Sequence, residues 1–185
     1  MFKKYQKVLL IAAAVILIPV FSILGYATTK PDTMRVQRTT TIKAPAEKIF
    51  PLISDFHNWT QWSPYEKLDP ALKRTYTGTS QGQGAAYSWA GNSQVGKGSM
   101  EILETKEPSH MVIKLDFVEP FDGHMTAEFT LDTKGDMTEV TWAMHGPQSY
   151  CGKIMSCLID CDTMIGKDFE AGLANMKAVA EKAAE

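Results

Sequence analysis

Alternation of apolar and polar residues is the feature that most constrains this sequence, because it recurs in consecutive short segments. In the segment 111–117 every second residue is apolar, and Lys114 and Asp116 occupy intervening positions. The segments 125–131 and 140–144 repeat this period of two. Neighbouring side chains of a strand point to opposite faces, so each segment predicts a strand with one apolar and one solvated face. Strands of this kind form an antiparallel sheet that packs on a core through one side.

Turn residues divide the middle of the chain into strands of similar length. Lys134-Gly135-Asp136 and Gly91-Asn92 carry turn chemistry between apolar segments. The connections are short, which predicts an antiparallel meander. The predicted strands are Met34–Lys43, Lys73–Thr77, Ala85–Trp89, Lys97–Thr105, Met111–Val118, Met125–Leu131 and Thr138–His145.

Helical patterns are found on both sides of these strands in the sequence. Pro45 opens a short helix, and Asp55 is the expected N-cap of a second short helix that runs to Trp62. One long helix is predicted from about residue 149 to residue 185. Its apolar stripe consists of Ile165, Phe169, Leu173, Met176 and Ala180, and its predicted solvent-exposed positions are Asp160, Asp162, Lys167, Asp168 and Lys177. Only this helix is long enough to cover the apolar face of the sheet, which makes the predicted fold α+β.

A run of 19 residues without charge, Val8–Tyr26, precedes the predicted α+β domain. As a helix it extends about 28 Å, which is close to the hydrocarbon thickness of a bilayer. We therefore predict a cytoplasmic N-terminus at 1–7, a transmembrane anchor at 8–26, a linker at 27–33 and one domain at 34–185.

Lysine residues set the expected orientation of this single-pass anchor. Lys3, Lys4 and Lys7 precede the apolar run, so the positive-inside rule places the domain on the extracytoplasmic side of the inner membrane. A cleaved signal peptide is the alternative, because Gly25 and Ala27 are small residues with the spacing of a cleavage site. A cleaved chain would be secreted, so both interpretations export the domain.

Charge and cysteine content exclude several classes of function. The net charge of −2 lacks the basic excess that a nucleic-acid partner requires. Cys151, Cys157 and Cys161 are an odd number, which does not indicate a disulfide framework. On one helix, Cys157 and Cys161 would share a face and supply half of a metal site, but small buried thiols are the favoured interpretation. No cofactor and no metal are therefore expected.

Three segments carry a resemblance to a known superfamily: Thr41–Phe50 (TIKAPAEKIF), Asp55–Pro64 (DFHNWTQWSP) and Gly166–Asn175 (GKDFEAGLAN). Together with the order of elements, they resemble the helix-grip fold of the SRPBCC or START-like superfamily, in particular bacterial proteins of the polyketide cyclase/dehydrase type. The resemblance implies a curved antiparallel sheet wrapped around the C-terminal helix, with a cavity between them. It implies no single function, because this superfamily includes carriers, cyclases, hydrolases and regulators.

The expected cavity lining is apolar and contains no Asp, Glu, His or Lys. It combines the inner face of the sheet with the C-terminal helix and the segment around residue 60. The predicted ligand-binding residues are Trp59, Trp62, Tyr87, Trp89, Met100, Ile113, Leu115, Phe117, Met125, Trp142, Met144, Ile165 and Phe169.

This uncharged lining favours a binding protein, and we expect a membrane-anchored protein for an apolar small molecule or lipid, with no catalytic residue assigned. The alternative is a cyclase/dehydrase- or hydrolase-like enzyme that acts on a hydrophobic substrate in the same cavity. An enzyme needs a buried titratable group, and the candidates are Tyr87 and an Asp55–His57 pair near the cavity mouth. Trp59 and Trp62 gate the pocket or support the second short helix, and the supporting role is favoured.

Overall fold

The structure, a computed structural model, describes residues 2–120 and 122–182, apart from the side chains of residues 2–4 and 7–13. The chain divides into two compact units. The first consists of Met1–Met34 and Pro147–Cys161, and the second of Arg35–Gly146 and Asp162–Glu185.

The second unit contains a meander of antiparallel strands, as the alternation predicts. In the described residues one seven-stranded sheet has the order β1-β7-β6-β5-β4-β3-β2, and consecutive strands from β2 to β7 pair antiparallel. The strands are β1 (Thr33–Ile42), β2 (Lys73–Gly78), β3 (Ala85–Ala90), β4 (Lys97–Lys106), β5 (His110–Glu119), β6 (Gly123–Lys134) and β7 (Met137–Pro147).

Within the second unit, the helical segments between β1 and β2 and the last helix of the chain pack on this sheet in the helix-grip arrangement. The described helices are α1 (Phe2–Ala27), α2 (Ala46–Ser54), a 3-10 helix (Phe56–Asn58), α3 (Trp59–Trp62), a second 3-10 helix (Pro64–Lys67), α4 (Tyr150–Leu158) and α5 (Cys161–Lys182). The Asp55 side chain accepts a hydrogen bond from the His57 amide at 2.9 Å, so its predicted role as an N-cap is confirmed.

The core of the second unit lies between the inner face of the sheet and α5. The rings of Trp142 on β7 and Phe169 on α5 stack with centroids 3.9 Å apart. Gly172 makes this approach possible, since a Cβ there would lie 2.8 Å from the Trp142 ring. At the rim, Arg38 of β1 bonds Asp162 at 3.0 Å and Glu170 at 2.8 Å, both on α5.

The prediction of one continuous C-terminal helix is wrong. Ile159 is extended, with φ −127° and ψ 130°, and it separates α4 from α5. Asp160 then precedes α5, a position where aspartate is favoured over continued helix. Cys157 and Cys161 consequently lie on different helices, which removes the shared face. Cys151 is exposed rather than buried, and the described residues contain no group of ligands that could hold a metal ion.

In the first unit, α1 and α4 are in contact. The Tyr150 hydroxyl donates to the Leu24 carbonyl at 2.9 Å, and Lys153 pairs with Asp32. The predicted anchor at 8–26 lies partly outside the described residues, because the side chains of 7–13 are not described. In the part of the chain that is described, no helix combines the length and the apolar character needed to cross a bilayer.

Candidate ligand-binding cavity

A cavity of about 320 Å³ lies inside the second unit, between the inner face of the sheet and α5. Strands β3 to β7 form one wall, and α5 together with the segment 59–66 forms the other. Its lining consists of Trp59, Ser63, Tyr65, Glu66, Leu72, Tyr87, Trp89, Gln94, Val95, Met100, Leu115, Phe117, Glu119, Pro120, Ala127, Trp142, Met144, Ile165, Asp168 and Phe169.

Most of the predicted ligand-binding residues lie at this cavity, although their contact with a ligand stays a prediction. Those at the cavity are Trp59, Tyr87, Trp89, Met100, Leu115, Phe117, Trp142, Met144, Ile165 and Phe169. Three predicted residues, Trp62, Ile113 and Met125, are not part of the lining. The period-two pattern therefore identifies the inner face, but it does not distinguish the part of that face that meets free space.

The three exceptions pack against protein. Trp62 is fully buried and donates from Nε1 to the Leu52 carbonyl at 2.7 Å, which agrees with its predicted supporting role. Ile113 is also fully buried, opposite Ile102 on one neighbouring strand and Ala127 on the other. Met125 is half-buried, and its sulfur occupies the space that a Cβ on Gly146 would need.

The prediction of a lining without charge is wrong, because Glu66 lies in the cavity wall. Its side chain is 6% exposed. One carboxylate oxygen accepts from the Tyr87 hydroxyl at 2.7 Å, and the other accepts from Arg74 Nε at 2.6 Å. Arg74 also donates to the Glu66 carbonyl at 3.1 Å, so the 3-10 helix Pro64–Lys67 is held against β2 and β3.

Asp168 is a second carboxylate in the lining, although the sequence pattern predicted it as solvent-exposed. The Tyr65 hydroxyl donates to its Oδ2 at 3.4 Å. Asp168 follows Ile165 by three positions and precedes Phe169, so it lies at the edge of the apolar stripe of α5. That spacing was a usable signal, whereas Glu66 lies in a segment without periodicity. We name Tyr65, Glu66 and Asp168 the polar wall.

The two tyrosines beside these carboxylates act as hydrogen-bond donors. Burial raises the pKa of Tyr87 far above its usual value, and the hydrogen bond to Glu66 raises it further. Burial also raises the pKa of Tyr65, with an added contribution from the charge of Asp168. A phenol with a raised pKa holds its proton, so neither tyrosine is suited to proton transfer near neutral pH.

The mouth of the cavity is marked by its exposed lining residues, Gln94, Glu119 and Pro120. Lys97 pairs with Glu119 at 2.7 Å. Gly96 has φ +67°, and a Cβ there would collide with the Glu119 carbonyl, so only glycine permits this contact between the two loops.

The histidines lie outside the cavity lining. The predicted Asp55–His57 pair exists, with 2.8 Å between Oδ1 and Nδ1, but the His57 side chain is 57% exposed and its ring stacks on Tyr76. The prediction that this pair lies at the cavity mouth is wrong. Asp55 instead caps the 3-10 helix Phe56–Asn58, and the His57 side chain of that helix lies at the surface.

Comparison with known proteins agrees with this architecture. Residues 33–181 match the family described as "Polyketide cyclase / dehydrase and lipid transport". No curated protein shows significant sequence similarity to the chain.

Solved structures resemble the chain in fold at low sequence identity. The Zhui aromatase/cyclase from Streptomyces sp. R1128 is 13% identical with a TM-score of 0.60, covering 83% of this chain and 96% of its own. The protein Ms6760 from Mycobacterium smegmatis is 19% identical with a TM-score of 0.57, covering 84% and 96%. The Aha1 dimer from Colwellia psychrerythraea is 14% identical with a TM-score of 0.53, covering 80% and 96%. Because the family match spans most of the chain, this protein belongs to the polyketide cyclase/dehydrase and lipid transport family, of the SRPBCC type.

Proposed function

We propose that this chain is a membrane-tethered protein that binds an apolar small molecule or a lipid chain in its cavity. The cavity itself carries the proposal. Its volume of about 320 Å³ lies at the lower end of the range for small-molecule sites, and aromatic, aliphatic and methionine side chains form most of its lining. Each methylene group that a ligand transfers from water into such a site contributes about 0.8 kcal/mol.

The tether rests on the N-terminal segment. Val8–Tyr26 contains no charged residue. On α1, residues Val15 to Ile18, Val20 and Phe21 are each 46–67% exposed. Successive helical positions differ by about 100°, so these side chains point to all sides of the helix. A helix that is apolar on all sides needs lipid or protein around it, and the lysines that precede the run favour export of the domain to the extracytoplasmic side.

Native mass spectrometry of the full chain, extracted from its membrane with detergent, tests the binding proposal. We expect an apolar small molecule or lipid to be retained in wild type and lost in Leu115→Trp, because the indole fills the cavity. Val118→Trp is the matched control, since Val118 lies on the same strand and is 61% exposed. An empty wild-type protein, or equal occupancy in Leu115→Trp, would contradict the proposal.

Fractionation tests the tether. We expect the full chain to remain in the membrane pellet after alkaline carbonate extraction, and the double variant Leu17→Lys/Ile18→Lys to be released, because two charges in one turn oppose insertion. The intact mass distinguishes the alternative: a mature chain that begins at Thr28 would show cleavage and secretion. Extraction of the wild-type chain by carbonate would overturn the anchor.

An enzyme of the cyclase/dehydrase or hydrolase kind is the second candidate, and the presence of Glu66 and Asp168 in the cavity favours it. A titratable carboxylate beside a bound substrate is what acid–base catalysis requires. If Glu66 is catalytic, Glu66→Gln will retain the substrate where wild type retains the product. A difference in mass between the two extracted ligands would support catalysis, and identical masses would support binding alone.

A further inference from the structure

We propose that the polar wall makes the cavity selective for amphipathic ligands whose head group donates hydrogen bonds and carries no negative charge, as an alcohol or an amine does. This inference rests on the proposed binding function and adds the chemistry of the ligand's polar end.

All charged residues in the described lining are acidic. They are Glu66, Asp168 and Glu119, and no Lys, Arg or His of the described residues belongs to the lining. Arg74 pairs with Glu66 but does not line the cavity, so a ligand in the cavity contacts the carboxylate and not the guanidinium. A ligand carboxylate or phosphate would therefore face like charge in surroundings of low dielectric, where repulsion is strong.

Asp168 strengthens this preference. No ion pair among the described residues joins Asp168 to a basic side chain within 4.0 Å, and its Oδ2 accepts one long hydrogen bond, from Tyr65 at 3.4 Å. Its Oδ1 therefore retains its capacity to accept. A carboxylate in an apolar cavity is costly to desolvate unless it is hydrogen-bonded, so a ligand hydroxyl or ammonium group that reaches Asp168 removes this cost.

Trp142 independently indicates that a polar atom of the ligand enters the cavity, and what it requires is a hydrogen-bond acceptor. Among the four tryptophans, Trp59, Trp62 and Trp89 each donate from Nε1 to a backbone carbonyl, at 2.9, 2.7 and 3.2 Å. Trp142 lines the cavity and is 3% exposed, yet its Nε1 has no partner in the described part of the chain. Buried donors are rarely left unpaired, and a ligand oxygen would supply the acceptor. A hydroxyl group can accept from Trp142 and donate to Asp168, whereas an ammonium group can only donate.

Competition among ligands of one chain length tests the proposal. The full chain in detergent is mixed with equal amounts of dodecanol, dodecylamine and dodecanoate, at a pH where the amine and the acid are both charged, and the bound masses are counted by native mass spectrometry. We expect dodecanol or dodecylamine to exceed dodecanoate by about tenfold, as a hydrogen bond to a charged group predicts. The leading ligand identifies the source of the donor, hydroxyl or ammonium.

Variants distinguish selectivity caused by the polar wall from non-specific partition of the ligands into the cavity. In Asp168→Asn the preference over dodecanoate should fall about tenfold, and Glu66→Gln should lower it in the same direction if the first variant does not fold. Glu104→Gln, the same change of charge at an exposed position of β4, should leave the ratio unchanged. The ratio compares ligands within one micelle solution, so differences in micelle partition cancel between variants.

The outcomes distinguish this inference from the proposed function. If all three ligands bind equally, or dodecanoate leads, the selectivity is overturned while the binding function stands. If none of the three binds, the binding function fails and the selectivity fails with it. An unchanged ratio in both Asp168→Asn and Glu66→Gln, with the variants folded, would remove the polar wall as its cause.

Discussion

The two walls of the cavity are built on different principles. The sheet wall, represented by Met100, Leu115 and Trp142, follows from strand alternation and continues into the hydrophobic core without a break. The polar wall belongs to a short 3-10 helix and to α5, and specific hydrogen bonds position its side chains. In our proposal, the sheet wall provides stability and room for a ligand, while the polar wall provides discrimination among ligands.

The largest predicted effect is a loss of stability, and its size should distinguish buried positions of the sheet from positions at the cavity. Phe129 and Phe117 both lie on inner-face positions, but Phe129 is fully buried and Phe117 is half-buried at the cavity. Phe129→Ala should lower the free energy of unfolding by about 3–5 kcal/mol, because it removes apolar contacts and leaves a hole. Urea denaturation of the full chain in detergent measures this loss.

Phe117→Ala is the matched substitution for that measurement. Its side chain already borders free space, so a smaller loss of about 1–2 kcal/mol is expected. Equal losses for Phe117→Ala and Phe129→Ala would mean that the cavity is filled in solution and that the sheet wall is ordinary core.

Sequence periodicity predicts the sheet wall well for a physical reason. A strand has a fixed period of two. Once one residue of such a strand is assigned to the buried face, Met111, Ile113 and Leu115 are all placed on that face. The prediction of a cavity came from the resemblance to a helix-grip family, because alternation alone does not distinguish a cavity from a filled core. Ile113 was included among the lining residues for this reason, although protein atoms surround it.

The polar wall escaped prediction because tertiary contacts position it. Glu66 has no periodic neighbours, and its burial depends on Arg74 and Tyr87 from two other elements. The break at Ile159 was not predicted for a related reason, since two non-helical residues between two helical segments barely change the pattern. Asp168 was misjudged from its charge, although its spacing from Ile165 placed it beside the apolar stripe.

A smaller loss of stability is expected when a substitution removes the Glu66 carboxylate from the polar wall. Glu66→Leu leaves the Tyr87 hydroxyl and the Arg74 guanidinium without their shared partner, so the free energy of unfolding should fall by about 1–3 kcal/mol. Glu104→Leu, at an exposed position on β4, is the control and should stay within about 0.5 kcal/mol of wild type. A loss from Glu66→Leu as large as that from Phe129→Ala would show that the polar wall is part of the structural core.

The fall of stability at alkaline pH reports on Tyr65 of the polar wall and on Tyr87, which donates to Glu66 of that wall. The pKa of Tyr87 is raised in the folded state. Its contribution to stability is therefore fully present below the pKa of the unfolded state, near 10, and is lost progressively as pH rises above that value. Above that pH the unfolded state releases a proton that the folded state keeps. Stability should therefore fall by about 1.4 kcal/mol per pH unit for each such tyrosine.

Removing one of these phenols should make the alkaline limb shallower. Tyr87→Phe deletes one titration, and Tyr65→Phe, whose pKa is raised by burial in the same way, deletes another. Urea denaturation at several pH values above 9 gives the slope, which is independent of the stability lost at neutral pH. An unchanged slope in both variants would show that these hydroxyls contact water in solution.

The smallest loss of stability is expected from a substitution at Asp116, which lies on the outer face of β5 next to Phe117. Asp116 accepts from Lys114 and from His124, each at 2.7 Å, and these hydrogen bonds hold the pKa of Asp116 below its usual 3.8. A lowered pKa stabilises the fold above 3.8, and this contribution is lost as pH falls through the folded-state pKa. Both partners are exposed, so Asp116→Asn should cost less than about 1 kcal/mol at neutral pH.

Urea denaturation of wild type and Asp116→Asn at neutral pH and at successively lower pH measures this contribution, and the difference between them should shrink as pH falls through the folded-state pKa of Asp116. Glu66 and Asp116 both have two donors, but water is excluded only around Glu66. The two hydrogen bonds to Glu66 inside the cavity should therefore contribute more to the free energy of unfolding than the two to Asp116 on the outer face. If Asp116→Asn costs as much as Glu66→Leu, exclusion of water does not explain the contribution of the polar wall, and the contrast between the two walls loses its electrostatic basis.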